Sequence, residues 1–219
     1  MLLLLACHPR IPEPAAEAPP TLEVLVARFE EVRGADALAT HTSLHVEGVV
    51  KGPRGEATYN AVHTADGRYR LDTRVEGRPF VVGCGRFDGW IFSGVDPRAM
   101  QPAEQRAVCA TVGMWDPIEG TATSVVADRI AERDTWHATV EEPGQPVRGF
   151  WFAQDDGLMV ARSWRVSGTD LVEHQLDWRD FDGVMLPNTV VSVQGEQTFE
   201  KISVTWDREL PEFGMPDVF

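Results

Sequence analysis

The first regular pattern in the chain is helical. Thr21 is a favourable N-cap, and Gly34 stands where helices commonly end in a left-handed residue. Between them apolar residues recur three or four positions apart, at Leu22, Leu25, Val26, Phe29 and Val32. These features predict an amphipathic helix over residues 22–33, with residues 35–40 adding a short second turn.

From residue 44 onwards, apolar and polar residues alternate with a period of two. Turn-forming sequences rich in Gly, Asp and Pro separate the alternating runs at intervals of about ten residues, which is typical of an antiparallel meander. The first meander has five expected strands, near 44–48, 59–63, 69–73, 80–82 and 87–92.

A helical stretch over residues 103–114 interrupts the alternation, and residues 123–131 are a second helix candidate. Six further strands are then expected, at 134–140, 147–154, 158–166, 171–180, 187–194 and 198–206. No linker of domain scale follows residue 20. The fold class is therefore α+β, mainly antiparallel β, with about 11 strands in a single domain over residues 21–219.

Charge narrows the range of partners. The 219 residues carry a formal net charge of −14, which disfavours nucleic acid because binding to phosphate requires clustered Lys and Arg. The same charge opposes direct attraction to an anionic lipid surface. No run of eighteen or more apolar residues follows the first positions, so any membrane attachment needs another device.

The N-terminus offers such a device. The sequence Leu4-Leu5-Ala6-Cys7 resembles a lipobox, the processing site of bacterial lipoproteins, with Cys7 as the lipidated residue. Residues 1–6 are then a truncated signal peptide. Residues 7–20 are a tether, because five prolines within residues 8–20 favour an extended spacer. Two or three acyl chains on Cys7 would anchor the protein stably. The alternative is an apolar terminus with an incidental cysteine.

The order of elements resembles the LolA/LolB-like superfamily of outer-membrane lipoprotein-sorting proteins. Four local sequences carry this resemblance: residues 34–38, which link the first helix to the strand near Leu44; Phe-Asp-Gly-Trp at 87–90; Asp-Trp-Arg-Asp-Phe-Asp-Gly-Val-Met-Leu-Pro at 177–187; and Val-Thr-Trp-Asp at 204–207, followed by Phe213 and Pro216. They are turns and strand ends, so they indicate fold more than activity.

The resemblance implies an incomplete, or half, β-barrel closed by helices around an apolar cavity that suits acyl chains. It further implies a monomeric envelope lipoprotein, at the outer membrane and facing the periplasm, that binds a lipid or the acyl chains of a lipoprotein, with transport as one role. The alternative function is a non-catalytic structural or regulatory lipoprotein that binds a protein partner.

Aromatic and aliphatic residues on the expected strands are the candidates for lining this cavity. Seven tryptophans supply large apolar area, although packing in an ordinary core explains any one of them equally well. The candidates are Leu44, Val46, Tyr59, Phe80, Trp90, Phe92, Phe150, Phe152, Trp164 and Trp178. In the consecutive run Phe150-Trp151-Phe152, strand alternation places Trp151 on the face opposite its neighbours.

Catalytic and metal chemistry find little support in the sequence. No Gly-x-Ser-x-Gly elbow occurs, and His41 and His45 lack the intervening Glu of a zinc-protease motif. We therefore expect a protein that is not an enzyme, with no catalytic residues, no metal and no cofactor.

Two thiols remain besides Cys7. In an oxidising compartment Cys84 and Cys109 would form a disulfide, the alternative being two buried free thiols.

Overall fold

The computed structural model describes residues 18–85, 88–109, 115, 117–166 and 168–215. The predicted signal segment 1–6, the lipidation site Cys7 and the tether up to residue 17 lie outside the described residues. Within the described residues, no helix is long and apolar enough to span a membrane.

The described residues contain three helices: α1 (Leu22–Arg33), α2 (Ala35–Leu38) and α3 (Pro102–Val108). The predicted helix at 22–33 is confirmed, and it ends at Gly34 in a left-handed conformation with φ of 78°. The predicted second turn corresponds to α2. Helix α3 begins at a proline, as expected, and Gln101 and Glu104 form a capping box at its start. It is shorter than the predicted 103–114, and residues 110–114 are outside the described part.

In the part of the chain that the structure describes, thirteen strands form one antiparallel sheet. In chain order they are β1 (Ser43–Gly52), β2 (Gly55–Thr64), β3 (Tyr69–Val75), β4 (Arg78–Cys84), β5 (Gly89–Phe92), β6 (Pro97–Ala99), β7 (Thr121–Ile130), β8 (Arg133–Glu141), β9 (Arg148–Ala153), β10 (Met159–Val166), β11 (Thr169–Phe181), β12 (Val184–Ser192) and β13 (Gln197–Trp206). The spatial order is β6-β5-β4-β3-β2-β1-β13-β12-β11-β10-β9-β8-β7. Pairing of β1 with β13 therefore joins the two meanders.

The expectation of about 11 strands is corrected to 13. Strand β6 is a three-residue edge strand, too short for its pattern to be visible in the sequence. Strand β7 occupies the stretch 123–131 for which a helix was a candidate. Its β-branched residues favour a strand, and it pairs along its length with β8, from Thr121 opposite Glu141 to Ile130 opposite Arg133.

The sheet curves around a hollow. Val82 of β4 and Phe150 of β9 line the same cavity, although seven strands lie between β4 and β9 in the sheet. A flat sheet would hold these residues far apart, since neighbouring strands are spaced by about 4.8 Å. Strands β6 and β7 are the edges of the described sheet, which is not closed into a complete barrel.

Helices α1 and α2 pack on the inner face of the sheet. Leu22, Leu25 and Phe29 of α1 are buried against a cluster that includes Val140 and Phe152. In α2, Leu38 belongs to a second cluster with residues of β1, β2 and β12. The apolar face of the amphipathic helix α1 therefore packs on the sheet.

A disulfide joins Cys84 at the end of β4 to Cys109 just after α3. The predicted pairing is thus present in the structure. Cys84 is almost completely buried, and it packs with Val82 and Met100 in a third cluster. The bridge fixes the end of α3 against the inner face of the first meander.

Candidate functional site

A cavity of about 660 Å³ lies between the inner face of the sheet and the helices. This volume is within the range of about 300–1,000 Å³ that is usual for pockets binding small molecules. Strands from both meanders contribute to the wall, together with Phe29 of α1, Leu38 of α2 and Val108 of α3. The cavity therefore exists only because the two halves of the chain share one curved sheet.

Much of the wall is apolar. Leu44 and Val46 of β1 are nearly completely buried, and on β2 they are joined by Tyr59 and Ala61. The ring of Tyr59 packs edge-on against Phe199, with 5.6 Å between the centroids. Burial raises the pKa of the Tyr59 phenol to about 12, so the side chain is neutral over the physiological pH range.

Six of the ten predicted lining residues lie on the cavity wall. They are Leu44, Val46, Tyr59, Phe150, Trp164 and Trp178. The indole N–H of Trp178 donates to the carbonyl of Met159 at 3.0 Å, which fixes the ring beside Phe29, with centroids 6.0 Å apart. These six come from five strands of both meanders, and the fold brings them around one space.

Two of the other four candidates, Trp90 and Phe92, face the opposite side of the sheet. Val82 pairs with Ile91 on the inner side, so alternation directs the neighbouring Trp90 outwards. There the C-terminal segment covers it, and its indole N–H donates to the carbonyl of Phe213 at 2.8 Å. Both residues are therefore corrected from cavity lining to the outer face of the sheet, and Trp90 packs beneath this segment.

The remaining two, Phe80 and Phe152, point inwards but do not reach the cavity. Phe80 packs against the cluster around the disulfide. Phe152 lies under α1, with its ring 5.9 Å from that of Phe29. Alternation predicts the correct face for both, and α1 covers Phe152.

A polar row crosses the sheet along one side of the cavity. Arg162 of β10 is paired in register with Glu173 of β11, Glu173 with Ser192 of β12, and Ser192 with Gln197 of β13. All four residues line the cavity. Arg162 holds Glu173 through Nε and Nη2, at 2.9 and 2.8 Å from the same carboxylate oxygen. The wall thus combines an apolar region with a row of groups that can form hydrogen bonds.

Lys201 of β13 adds a further charge to this wall. Its Nζ donates to the carbonyl of Pro187, and it forms no ion pair with any residue of the described ranges. Desolvation, assisted by the positive charge of Arg162, lowers the pKa of Lys201 to about 8, although Glu173 acts in the opposite direction. Lys201 is therefore still largely protonated at neutral pH.

This polar side of the cavity is absent from the residues predicted to line it. One signal could have located part of it, because Arg162 and the predicted lining residue Trp164 are two positions apart and share a face. Lys201 is likewise two residues from Phe199, which also lines the cavity.

Two histidines weighed as metal ligands have other roles. His41 stacks on Trp206, with 4.2 Å between centroids, and its Nδ1 is 2.7 Å from an oxygen of Asp207. His45 lies on β1, where burial lowers its pKa. In the portion of the chain that the structure describes, no group of three or more His, Cys, Asp or Glu side chains could hold a metal ion.

The outer face of β8 and β9 carries a separate aromatic contact. Trp151 stacks on His137 with 3.9 Å between centroids, and its indole N–H donates to Asp128 at 2.8 Å. As the alternation predicts, Trp151 is on the face opposite Phe150, which lines the cavity.

Comparison with known proteins supports the fold. No family model matches the sequence, and no curated protein is significantly similar to it. Among solved structures, a LolA superfamily protein from Nitrosomonas europaea has 13% sequence identity and a TM-score of 0.59, over 88% of this chain and 96% of that one. A DUF1329 family protein from Desulfovibrio piger has 12% identity and a TM-score of 0.59, over 86% and 92%. The chain therefore has a LolA-like fold, and the predicted resemblance is confirmed at the level of fold.

Proposed function

We propose that this protein is an envelope lipoprotein that binds the acyl chain of a lipid or lipoprotein in the cavity between its sheet and helices. The observation that carries the proposal is an apolar hollow of about 660 Å³ inside a LolA-like fold. A cavity with an apolar wall gains free energy by exchanging water for hydrocarbon, at roughly 0.8 kcal/mol for each buried CH₂ group.

The chemistry of the wall fits binding without catalysis. Burial raises the pKa of its tyrosines further above the physiological pH range, and the carboxylate of Glu173 is engaged by Arg162. The half-barrel with α1 and α2 lying over its inner face would hold a chain away from water, and opening of these helices would admit it. Movement of lipid between membranes is the role that such a container serves.

In this proposal the protein is a monomer attached to the membrane through acylated Cys7, at the outer membrane and facing the periplasm. A net charge of −14 opposes direct adsorption to anionic lipid, so a covalent anchor and a tether would keep the domain near the bilayer. The Cys7→Ser variant of the full chain, expressed in a bacterial host, should lose both its incorporation of labelled palmitate and its place in the membrane fraction. Unchanged labelling and fractionation would exclude this anchor.

Binding is tested with a neutral probe, so that charge plays no part. N-phenyl-1-naphthylamine fluoresces strongly in apolar surroundings, and dodecanol should displace it from the protein. The Val190→Trp variant places a large side chain in the cavity and should lower the affinity for both ligands at least about tenfold.

The matched control is Val191→Trp. Val190 lines the cavity, whereas the adjacent Val191 lies on the other face of the same strand, and both are half-buried. The control should bind as the unmodified protein does. Absence of probe binding, or equal effects of the two variants, would refute the proposed site and would favour a role in binding a protein partner.

A further inference from the structure

The charges on the cavity wall are opposite in sign to those of the protein as a whole. The chain has 34 acidic and 20 basic residues, yet the wall carries four basic side chains and one acidic one. The basic ones are Arg33, Arg148, Arg162 and Lys201, and the acidic one is Glu173. A cleft lined mainly by charges of one sign concentrates its electrostatic field on whatever enters.

Three of these cations have a carboxylate partner. Arg33 pairs with Glu30 at 2.6 Å and Arg148 with Glu142 at 2.9 Å. Arg162 is bound to Glu173 at 2.8 Å. The partners of Arg33 and Arg148 are not part of the wall, so these ion pairs satisfy each arginine from outside the cavity.

Lys201 differs from these arginines. An ammonium group has three N–H donors, and among the described residues Nζ has one acceptor, the Pro187 carbonyl. Its one nearby carboxylate, Glu173, is already held by Arg162 through two nitrogen atoms. A desolvated cation without a counter-ion is costly, and proteins rarely keep one without a purpose.

We propose that Lys201, with Arg162 on the same cavity wall, binds the negatively charged group of the ligand, so that the natural ligand is an acyl amphiphile bearing a carboxylate or a phosphate. This inference rests on the proposed function, because the acyl chain would occupy the apolar part of the same cavity. Glu173 then has a positioning role: it holds the Arg162 guanidinium in place while leaving the Lys201 ammonium for the ligand.

The test compares three head groups on one chain length. Dodecanol, dodecanoate and dodecyl phosphate each displace N-phenyl-1-naphthylamine from the full chain at pH 7. A charge-assisted hydrogen bond in such a site favours the anion by about tenfold or more. The unmodified protein should therefore bind at least one of the two anions about tenfold more tightly than dodecanol. The preferred anion tells whether the natural group is a carboxylate or a phosphate.

The variant Lys201→Met should lose this preference while keeping its affinity for dodecanol. Lys51→Met is the matched control, since Lys51 is the other lysine of the chain and lies exposed, paired with Glu200. It should behave as the unmodified protein. Lys201→Gln serves in place of Lys201→Met if the latter does not fold, and the comparison of head groups needs no variant.

The outcomes separate this inference from the proposed function. If dodecanol binds as tightly as both anions, or if Lys201→Met keeps the full preference, the anionic site is refuted and acyl binding stands. If none of the three amphiphiles displaces the probe, the proposed function fails and this inference fails with it.

Discussion

The junction between α1 and α2 gives the sharpest test of how the helices sit on the sheet. Gly34, with φ of 78°, separates the two helices. An added Cβ at this position would lie 2.1 Å from the carbonyl oxygen of Gly183, in the turn between β11 and β12. That turn is itself constrained, because the Gly183 N–H donates to Asp180 at 2.9 Å. Neither the backbone at Gly34 nor the β11–β12 turn can move without a cost in free energy, so we expect Gly34→Ala to destabilise the protein.

Gly77 provides a control with the same backbone conformation. Its φ is 77°, and an added Cβ would meet no atom within 4 Å. An alanine with positive φ costs about 1–2 kcal/mol. The alanine also lowers the conformational entropy of the unfolded chain, which stabilises the folded protein by about 0.4–1 kcal/mol. Gly77→Ala should therefore lower the free energy of unfolding by about 1 kcal/mol. Gly34→Ala adds the clash, worth about 1–3 kcal/mol as in overpacked cores, for a total of about 2–4 kcal/mol.

The measurement is equilibrium unfolding in urea, monitored by tryptophan fluorescence. The dependence of the free energy of unfolding on urea concentration is compared among the three proteins. A difference of 1 kcal/mol also corresponds to a shift of about 2–4 °C in Tm for a chain of this size. Equal losses for the two variants would mean that Gly34 does not touch the β11–β12 turn, and the placement of α1 and α2 over the cavity would be wrong.

Three further predictions concern the disulfide and two titrating groups. Replacing Cys84 and Cys109 together by serine opens a loop with a sequence separation of 25, and should lower the free energy of unfolding by about 3.5 kcal/mol on the chain-entropy estimate. A reductant should have no further effect on the stability of this variant. A loss of stability below about 1 kcal/mol would contradict the estimate. Hydrogen bonds from His41 and the backbone of Thr42 lower the pKa of Asp207, so its stabilisation is full above the unfolded pKa of about 3.9 and is lost as pH falls through the folded value. Asp207→Asn should therefore be less stable than the unmodified protein at pH 7, by a margin in the urea midpoint that narrows at pH 3; a margin independent of pH would exclude this account. The pKa of Lys201 is about 8 in the folded protein and about 10.4 in the unfolded chain, so the unfolded chain binds more protons between these pH values. The free energy of unfolding therefore rises with pH over this range. Lys201→Met should lack this rise between pH 8 and 10, and parallel stability curves for the two proteins would refute the prediction.

The sequence determined the local elements because their causes are local. The spacing of apolar residues and the glycine at position 34 were enough to predict both ends of α1. Turn residues and alternation located eleven of the thirteen strands and the correct face for Phe150, Trp151 and Phe152. The sequence also predicted the pairing of Cys84 with Cys109, with two free thiols as the alternative, and the structure contains the bridge.

Tertiary structure decided everything that depends on which strands meet and how the sheet bends. The β7 segment is a strand because β8 is available to pair with it. Alternation assigns a residue to one of two faces, but it cannot say which face becomes the inside, nor which inward residues a helix then covers; hence Trp90 lies beneath the C-terminal segment, and Phe152 beneath α1. Lys201 shows the same limit most clearly. Its place on the cavity wall, without a carboxylate of its own among the described residues, depends on the pairing of β12 with β13 and on the curvature of the whole sheet. These are set by contacts between residues far apart in the chain.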